Sequence, residues 1–211
     1  MTDRVWLVRH ASTEWSGERW CGLTDLSLSR AGVAEARLLA SRLAAELPAG
    51  IALVSSPARR ARETAEAIAR EFGVRPDVGG AIAVEIEDGL QEVDFGRAEG
   101  CTWADIERRL PNLAAELAAG ASEASEVDWP GGETAGAVRE RVGAVWQRLT
   151  GIDRPVVAVC HGGVIRAVEA GLGQGHGPMS SVAPASVVEL RRMGGAWSVV
   201  AGDEPVHVRS R

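Results

Sequence analysis

The apolar residues of this chain fall alternately into short continuous runs and into helical spacing. Residues 4–8 form a compact apolar run behind Arg4, the pattern of a buried strand. Val33, Ala36, Ala40, Leu43 and Leu47 then step by three and four, which predicts an amphipathic helix closed by "LPAG". Residues 51–54 predict a second strand, and Ser56-Pro57 after it has the form of an N-cap with proline at the first helical position. Ala61, Ala65, Ile68 and Phe72 share one face of the next helix, and residues 81–86 predict a third strand.

Trp103, Ile106, Leu110, Leu113 and Leu117 keep helical spacing, but Pro111 divides the stretch into two helices because proline has no N–H to give the ladder. Residues 120–133, rich in small and acidic side chains, predict a loop. Ala135, Val138, Val142, Val145 and Leu149 define a further helix. "PVVAVC", residues 155–160, is nearly all apolar, as strands buried on both faces are. Gly162-Gly163 opens a last helix carrying Val164, Ile165, Val168 and Leu172. Residues 186–190 and 197–200 flank "RRMGGA" as a terminal hairpin. The alternation predicts a three-layer α/β sandwich with a mainly parallel central sheet, in one domain over residues 1–211.

Composition narrows the classes of function. A net charge of −6 argues against a general nucleic-acid or membrane-surface binder. No stretch approaches the roughly 20 apolar residues needed to span a bilayer. The start "MTDRVWLVRH" lacks a basic segment followed by an apolar one, and three cysteines make no even disulfide framework; both features lead to the expectation of a cytoplasmic protein. All 23 basic residues are arginine, a compositional bias that leaves arginine forks, histidines and backbone amides as the groups able to hold an anion.

In a parallel sheet, ligands bind beyond the carboxyl ends of the strands. The first predicted strand ends in Arg9-His10, the second in Ser55-Ser56 with Arg59, Arg60 and Arg62 just after, and the "VVAVC" strand in His161-Gly162-Gly163. Each histidine alone is explained as a capping or satisfied core residue. Two in parallel placement, with arginines beside them, point to an anion site. No group of histidines and carboxylates has metal-ligand spacing, and no cofactor is implied.

These stretches resemble those of the histidine phosphatase superfamily, the phosphoglycerate mutase-like phosphatases. "LVRHAST" is similar to the family's R-H-G motif, "SSPARRARETA" to its S-P-x-x-R-A-x-x-T-A stretch and "LQEVDFGRAEG" to its L-x-E-x-x-F-G-x-x-E-G stretch. "CHGG" matches the segment carrying the family's second histidine, and "GLTDLSL" and "PGGET" match further stretches, in order along the chain. The resemblance implies that Arg9, Arg60 and a protonated or donating His161 surround a phosphoryl group and that neutral His10 takes it as a phosphohistidine. It implies that Glu92 serves as general acid and then base. Ala11 is the candidate carbonyl for fixing the His10 tautomer. Ser16, Gly22, Thr24 and Gly162 are further candidate phosphate or substrate contacts. Glu99, in "AEG", is assigned to a helix start, and Arg59 and Arg62 to the solvated helix face.

Two positions leave the family pattern, Ala11 for glycine and Ser16 for asparagine. "CHGGVIR" also satisfies the C-x-x-G-x-x-R phosphate loop of cysteine-dependent phosphatases, with Cys160 as the rival nucleophile, although Ala167 replaces the usual hydroxyl residue. The motifs are also compatible with a mutase-type phosphotransferase and with a non-catalytic phospho-ligand binder. The short, lysine-free and locally acidic chain favours a phosphatase over a mutase. The expected partner is a small phosphorylated metabolite, and a homodimer is compatible with the sequence. Trp15, Trp20, Trp103 and Trp129 are candidates for the rim of the site. "GLTDLSL" and "PGGET" resemble the α-ribazole phosphatases and the fructose-2,6-bisphosphatase-like members, which makes α-ribazole 5′-phosphate the first specific expectation.

Overall fold

The computed structural model describes residues 1–74, 80, 82–119, 126–173 and 182–202, with residues 201 and 202 described by their backbone alone. β1 (Arg4–Arg9), β2 (Ala52–Ser55), β3 (Val84–Ile86), β4 (Val156–Cys160), β5 (Val187–Met193) and β6 (Ala196–Gly202) form one sheet in the order β3-β2-β4-β1-β5-β6. β3, β2, β4 and β1 run parallel, and β5 and β6 add an antiparallel hairpin beside β1. The expected start of the third strand at Ala81 lies outside the described residues, as do residues 120–125 of the expected loop.

The helices are α1 (Arg30–Glu46), α2 (Arg59–Gly73), α3 (Trp103–Arg109), α4 (Pro111–Ala118), α5 (Ala135–Gly151) and α6 (Gly162–Gly171). They cover both faces of the sheet. Strand alternation divides the core accordingly: Val5, Leu7, Ala158 and Cys160 pack with residues of α3 to α6 on one face. Trp6, Val8, Val157 and Val159 pack with α1 and α2 on the other. Every residue of β4 is buried, so the strand has no solvent face to make polar. Burying each such side chain contributes on the order of 1.5–3 kcal/mol, and this forces β4 into the middle of the sheet.

Three expected local features differ. Val33 is 41% exposed, and the buried stripe of α1 runs through Gly32, Ala36, Leu39, Ala40 and Leu43, one rotation step away. Gly32 sits there because a Cβ would overlap the Ser12 carbonyl, which accepts from Ser29, the N-cap of α1. α2 begins at Arg59 rather than at Pro57 and has no cap from its own neighbours. The Arg59 N–H donates instead to Asp25 Oδ1 at 2.6 Å, from a segment 34 residues earlier. The hairpin is also longer than the expected runs, closing through Gly194 and Gly195, both at positive φ as a tight two-residue turn requires.

Candidate active site

β1 delivers Arg9 and His10 to the carboxyl edge of the sheet, and main-chain bonds hold that position. The His10 N–H donates to the Cys160 carbonyl at 3.0 Å, and the His10 carbonyl accepts from Ala185 N at 3.2 Å. The His10 ring is only 5% exposed. Its Nδ1 lies 2.8 Å from the Ala11 carbonyl, so Nδ1 carries the proton and Nε2 keeps its lone pair. Burial, with the Arg60 and Arg9 charges, holds the ring well below the ordinary histidine range, so it is neutral near pH 7.

Arg60 is fully buried in the first turn of α2, beneath His10. Its Nε donates to His10 Nε2 at 3.2 Å and its Nη2 to His161 Nδ1 at 3.2 Å. The remaining donors end on main-chain carbonyls: Thr24 at 2.9 Å, Gly22 at 2.8 Å and Cys21 at 3.3 Å. His161 leaves β4 at the N-cap position of α6, also fully buried, with its ring centroid 5.1 Å from that of His10. With Nδ1 accepting from Arg60, Nε2 donates to Ser56 Oγ at 2.8 Å. Burial, Arg60, His10, Arg9 and Arg141 together depress its pKa, so His161 is neutral here rather than the charged donor allowed by sequence. Ser56, a helix cap by its sequence context, accepts from the Ala58 N–H just ahead of α2 and is also the hydroxyl that fixes this tautomer.

Glu92 lies in irregular chain between two short helical turns, yet it is only 8% exposed. Its Oε1 accepts from Val93 N at 3.0 Å and Oε2 from Gly163 N at 3.3 Å. Burial raises its pKa against the opposing pull of the Val93 N–H, Arg60, the Gly163 N–H and Arg9. Gly163 is small by necessity, since a Cβ would come 2.5 Å from Glu92 Oε1. Arg141 holds the segment from behind, donating to the Gly89 and Gln91 carbonyls at 3.0 and 2.8 Å while forming a two-pronged pair with Glu133. Neither Ser56 nor Arg141 is among the site residues that the sequence predicts.

Arg9, His10, Ser16, Glu92, Gly162 and Gly163 line a cleft of about 330 Å³ whose wall also includes Trp15, Trp20, Trp103, Arg19 and Arg166. Arg9 donates to the Val182 carbonyl and runs alongside Gly162, where even a Cβ would make only ordinary contact with it at 3.8 Å. Ser16 turns its hydroxyl to the Thr13 N–H at 2.9 Å. Ala11 does not face the cleft; its methyl is buried among the α1 and α2 side chains, and its N–H donates to Thr64 Oγ1 at 3.1 Å. Gly22 and Thr24 stand outside the wall, their N–H groups on Glu99 and their carbonyls on Arg60. Glu99 therefore binds a loop, not a helix start. Trp129 is core, 2% exposed and 4.5 Å from the Phe95 ring. Arg59 and Arg62 are exposed, as expected.

Cys160 faces the core below the site with no exposure, and burial pushes its thiol far above the ordinary range. A buried thiol of that kind is not an available thiolate. Among the described residues, no group of three or more histidine, cysteine, aspartate or glutamate side chains could share a metal ion, and no helix is long and apolar enough to cross a membrane.

A strand-end histidine with a fixed tautomer, backed by a buried arginine and a second histidine, lies within residues 5–204, which match the model of the histidine phosphatase superfamily, branch 1. The chain belongs to that superfamily. It is a phosphatase, with the phosphoglycerate mutase-like fold. This superfamily member is 34% identical over 181 residues to a glucosyl-3-phosphoglycerate phosphatase of Mycolicibacterium vanbaalenii, covering 80% of this chain and 73% of that protein. It is 32% identical over 165 residues to phosphoserine phosphatase 1 of Hydrogenobacter thermophilus, covering 77% and 72%. The solved structure of a mycobacterial glucosyl-3-phosphoglycerate phosphatase with inorganic phosphate superposes with a TM-score of 0.76 at 27% identity, covering 96% and 98% of the two chains.

Proposed function

We propose that residues 1–211 act as a single cytoplasmic domain that hydrolyses a small phosphomonoester through a phosphohistidine on His10. The observation that carries this reading is the His10 ring itself: Nδ1–H is held on the Ala11 carbonyl, and the lone pair of Nε2 points at the Arg60 guanidinium. A phosphoryl group arriving at Nε2 takes over the Arg60 Nε–H donor and meets Arg9 from the cleft side. Phosphoryl transfer needs mainly alignment and charge stabilisation, which Arg9 and Arg60 supply, with His161 holding the Arg60 guanidinium from behind. The free thiols Cys21, Cys101 and Cys160 suit a reducing compartment.

In the first step, the Nε2–P bond forms as the P–O bond to the leaving group breaks, and protonated Glu92 gives its proton to the departing alkoxide. In the second, Glu92 takes a proton from water, the hydroxyl oxygen bonds to phosphorus, and the N–P bond breaks to return neutral His10 and inorganic phosphate. The raised pKa of Glu92 suits a group that must hold a proton and then regain one.

The relatives' substrates, together with a cleft walled by three tryptophans and by Arg19 and Arg166, favour a phosphorylated sugar or sugar acid over α-ribazole 5′-phosphate. Release of inorganic phosphate from glucosyl-3-phosphoglycerate, simple sugar phosphates, 3-phosphoglycerate, phosphoserine and α-ribazole 5′-phosphate tests the choice. A sugar derivative is expected to lead in kcat/KM by about a hundredfold, the scale on which one pocket separates related substrates. A lead for α-ribazole 5′-phosphate overturns the sugar assignment, and turnover that survives His10→Ala overturns the mechanism.

A further inference from the structure

Arg60 is a buried cation that, among the described residues, pairs with no carboxylate directly; its two Nη groups end on the carbonyls of Cys21, Gly22 and Thr24 and on His161. The same short segment is gripped on its opposite edge. Glu99 Oε1 accepts from Gly22 N at 3.1 Å and from Thr24 N at 3.1 Å, and Oε2 accepts from Gly22 N at 2.9 Å. Residues 21–24 are thus a layer of peptide with an anion on its N–H side and a buried guanidinium on its carbonyl side. Bonding the Gly22 N–H to a carboxylate polarises the Cys21–Gly22 peptide and strengthens the Cys21 carbonyl as an acceptor, while the Gly22 and Thr24 carbonyls, on the adjoining peptides, are held in place by the same grip. Glu99 itself is fixed by the turn Gly96–Ala98 before it, its N–H donating to the Gly96 carbonyl at 3.1 Å. The fit leaves no slack: a Cβ at Gly22 would overlap the Val93 carbonyl and come 2.9 Å from Glu99 Oε2.

We infer that Glu99 is a positioning residue, holding residues 21–24 so that their carbonyls aim the Arg60 guanidinium at His10 Nε2 and at the phosphoryl group bound there. The inference rests on the reading of Arg60 as the phosphoryl clamp. Glu99 is not itself among the residues of the cleft wall, and its link to the reacting groups runs through residues 21–24 to Arg60. Gly22 and Thr24, phosphate contacts by the sequence pattern, belong to this support. Their part is to present carbonyls to the arginine.

A double-mutant cycle with Glu99→Ala and Arg60→Ala tests this, read as kcat/KM on p-nitrophenyl phosphate and as the inhibition constant of inorganic phosphate. Glu99→Ala is expected to lower kcat/KM and weaken phosphate inhibition by about 10- to 100-fold when Arg60 is present, and by less than about threefold when it is not, because a residue acting through another couples with it. Glu99→Gln keeps an amide oxygen for the two N–H groups and is expected to stay within about tenfold of the parent enzyme, which also covers the case of an alanine variant that fails to fold. Equal losses in both Arg60 backgrounds, or a folded Glu99→Ala enzyme with unchanged kcat/KM, overturn the inference. Undiminished turnover by Arg60→Ala overturns the clamp reading beneath it, a result that no failure of Glu99 alone produces.

Discussion

The Nε of Arg60 lies 3.2 Å from Nε2 of His10, the ring nitrogen left without a proton once Nδ1 is bound to the Ala11 carbonyl. The two side chains come from the end of β1 and the start of α2, 50 residues apart in sequence. His10→Ala is expected to abolish turnover. Arg60→Ala is expected to lose about 10²–10³ in kcat, the scale for removing one preorganised donor to a developing charge. Rapid quench with a radiolabelled substrate should trap phosphoenzyme in the parent protein and none in His10→Ala; label retained without His10 would point to another nucleophile.

Glu92→Gln separates catalysis from stability. Loss of the general acid should reduce kcat by about 10²–10⁴-fold. Burial raises the folded pKa of Glu92 above its ordinary 4.5, so its contribution is fully present below that value and is lost as pH rises through the folded pKa. Each carboxyl oxygen accepts one main-chain N–H, so the glutamine variant, with one acceptor left, should melt below the parent at low pH, by a margin that narrows as pH rises through the folded pKa. Unimpaired kcat in this variant would remove Glu92 from the reaction.

The two histidines act on stability in the opposite direction. His10 and His161 are held below their ordinary 6.5, so the unfolded chain takes up protons there before the folded one does. Their contribution is present above that value and is lost as pH falls toward the folded pKa. Urea midpoints should therefore rise between about pH 5.5 and about pH 7.5, and less steeply in His161→Gln. A slope unchanged by that substitution would assign the effect to other groups.

Cys160→Ser should retain near-parental kcat. The hydroxyl replaces a thiol with no exposure, so stability should fall by about 1–3 kcal/mol as a polar group enters the core. A stable but inactive serine variant, beside an active His10→Ala, would reinstate the cysteine as nucleophile.

Gly163→Ala tests how Glu92 is seated. An added Cβ would come 2.5 Å from Glu92 Oε1 and 3.0 Å from Val93 Cγ2, so the carboxyl must shift. A displacement near 1 Å costs about 10²-fold in rate, and kcat should fall accordingly while the circular dichroism spectrum is kept. Full activity would show that the acid tolerates another position.

The sheet and the strand-end histidines are legible in the sequence because burial on both faces leaves an unmistakable apolar run in β4 and β1, with polar residues only where the strands stop. Glu92 is reachable through the resemblance alone. It sits in irregular chain without a period, and its burial comes from Gly163 and Val93 closing over it. Ser56 is legible only in part: serine before proline is the ordinary start of a helix and its Oγ does accept from the Ala58 N–H, but its shorter bond is to His161, 105 residues away. Trp129 cannot be told from Trp15 by its loop position, because it is the packed Phe95 and Trp20 rings that make it core. Glu99 is visible as a motif residue, but a carboxylate that serves an arginine through a strip of peptide leaves no spacing signature.

The strand at the centre of the site is late in the chain. β4 stands between β2 and β1 in the sheet, yet it follows both in sequence by about a hundred residues or more. A chain emerging from the ribosome therefore presents the nucleophile and its arginine long before the strand that brings them side by side. Such long-range closure is slow to form. Catalysis is withheld from nascent and partly folded chains, and regain of activity on refolding is a more demanding measure of completion than regain of helix.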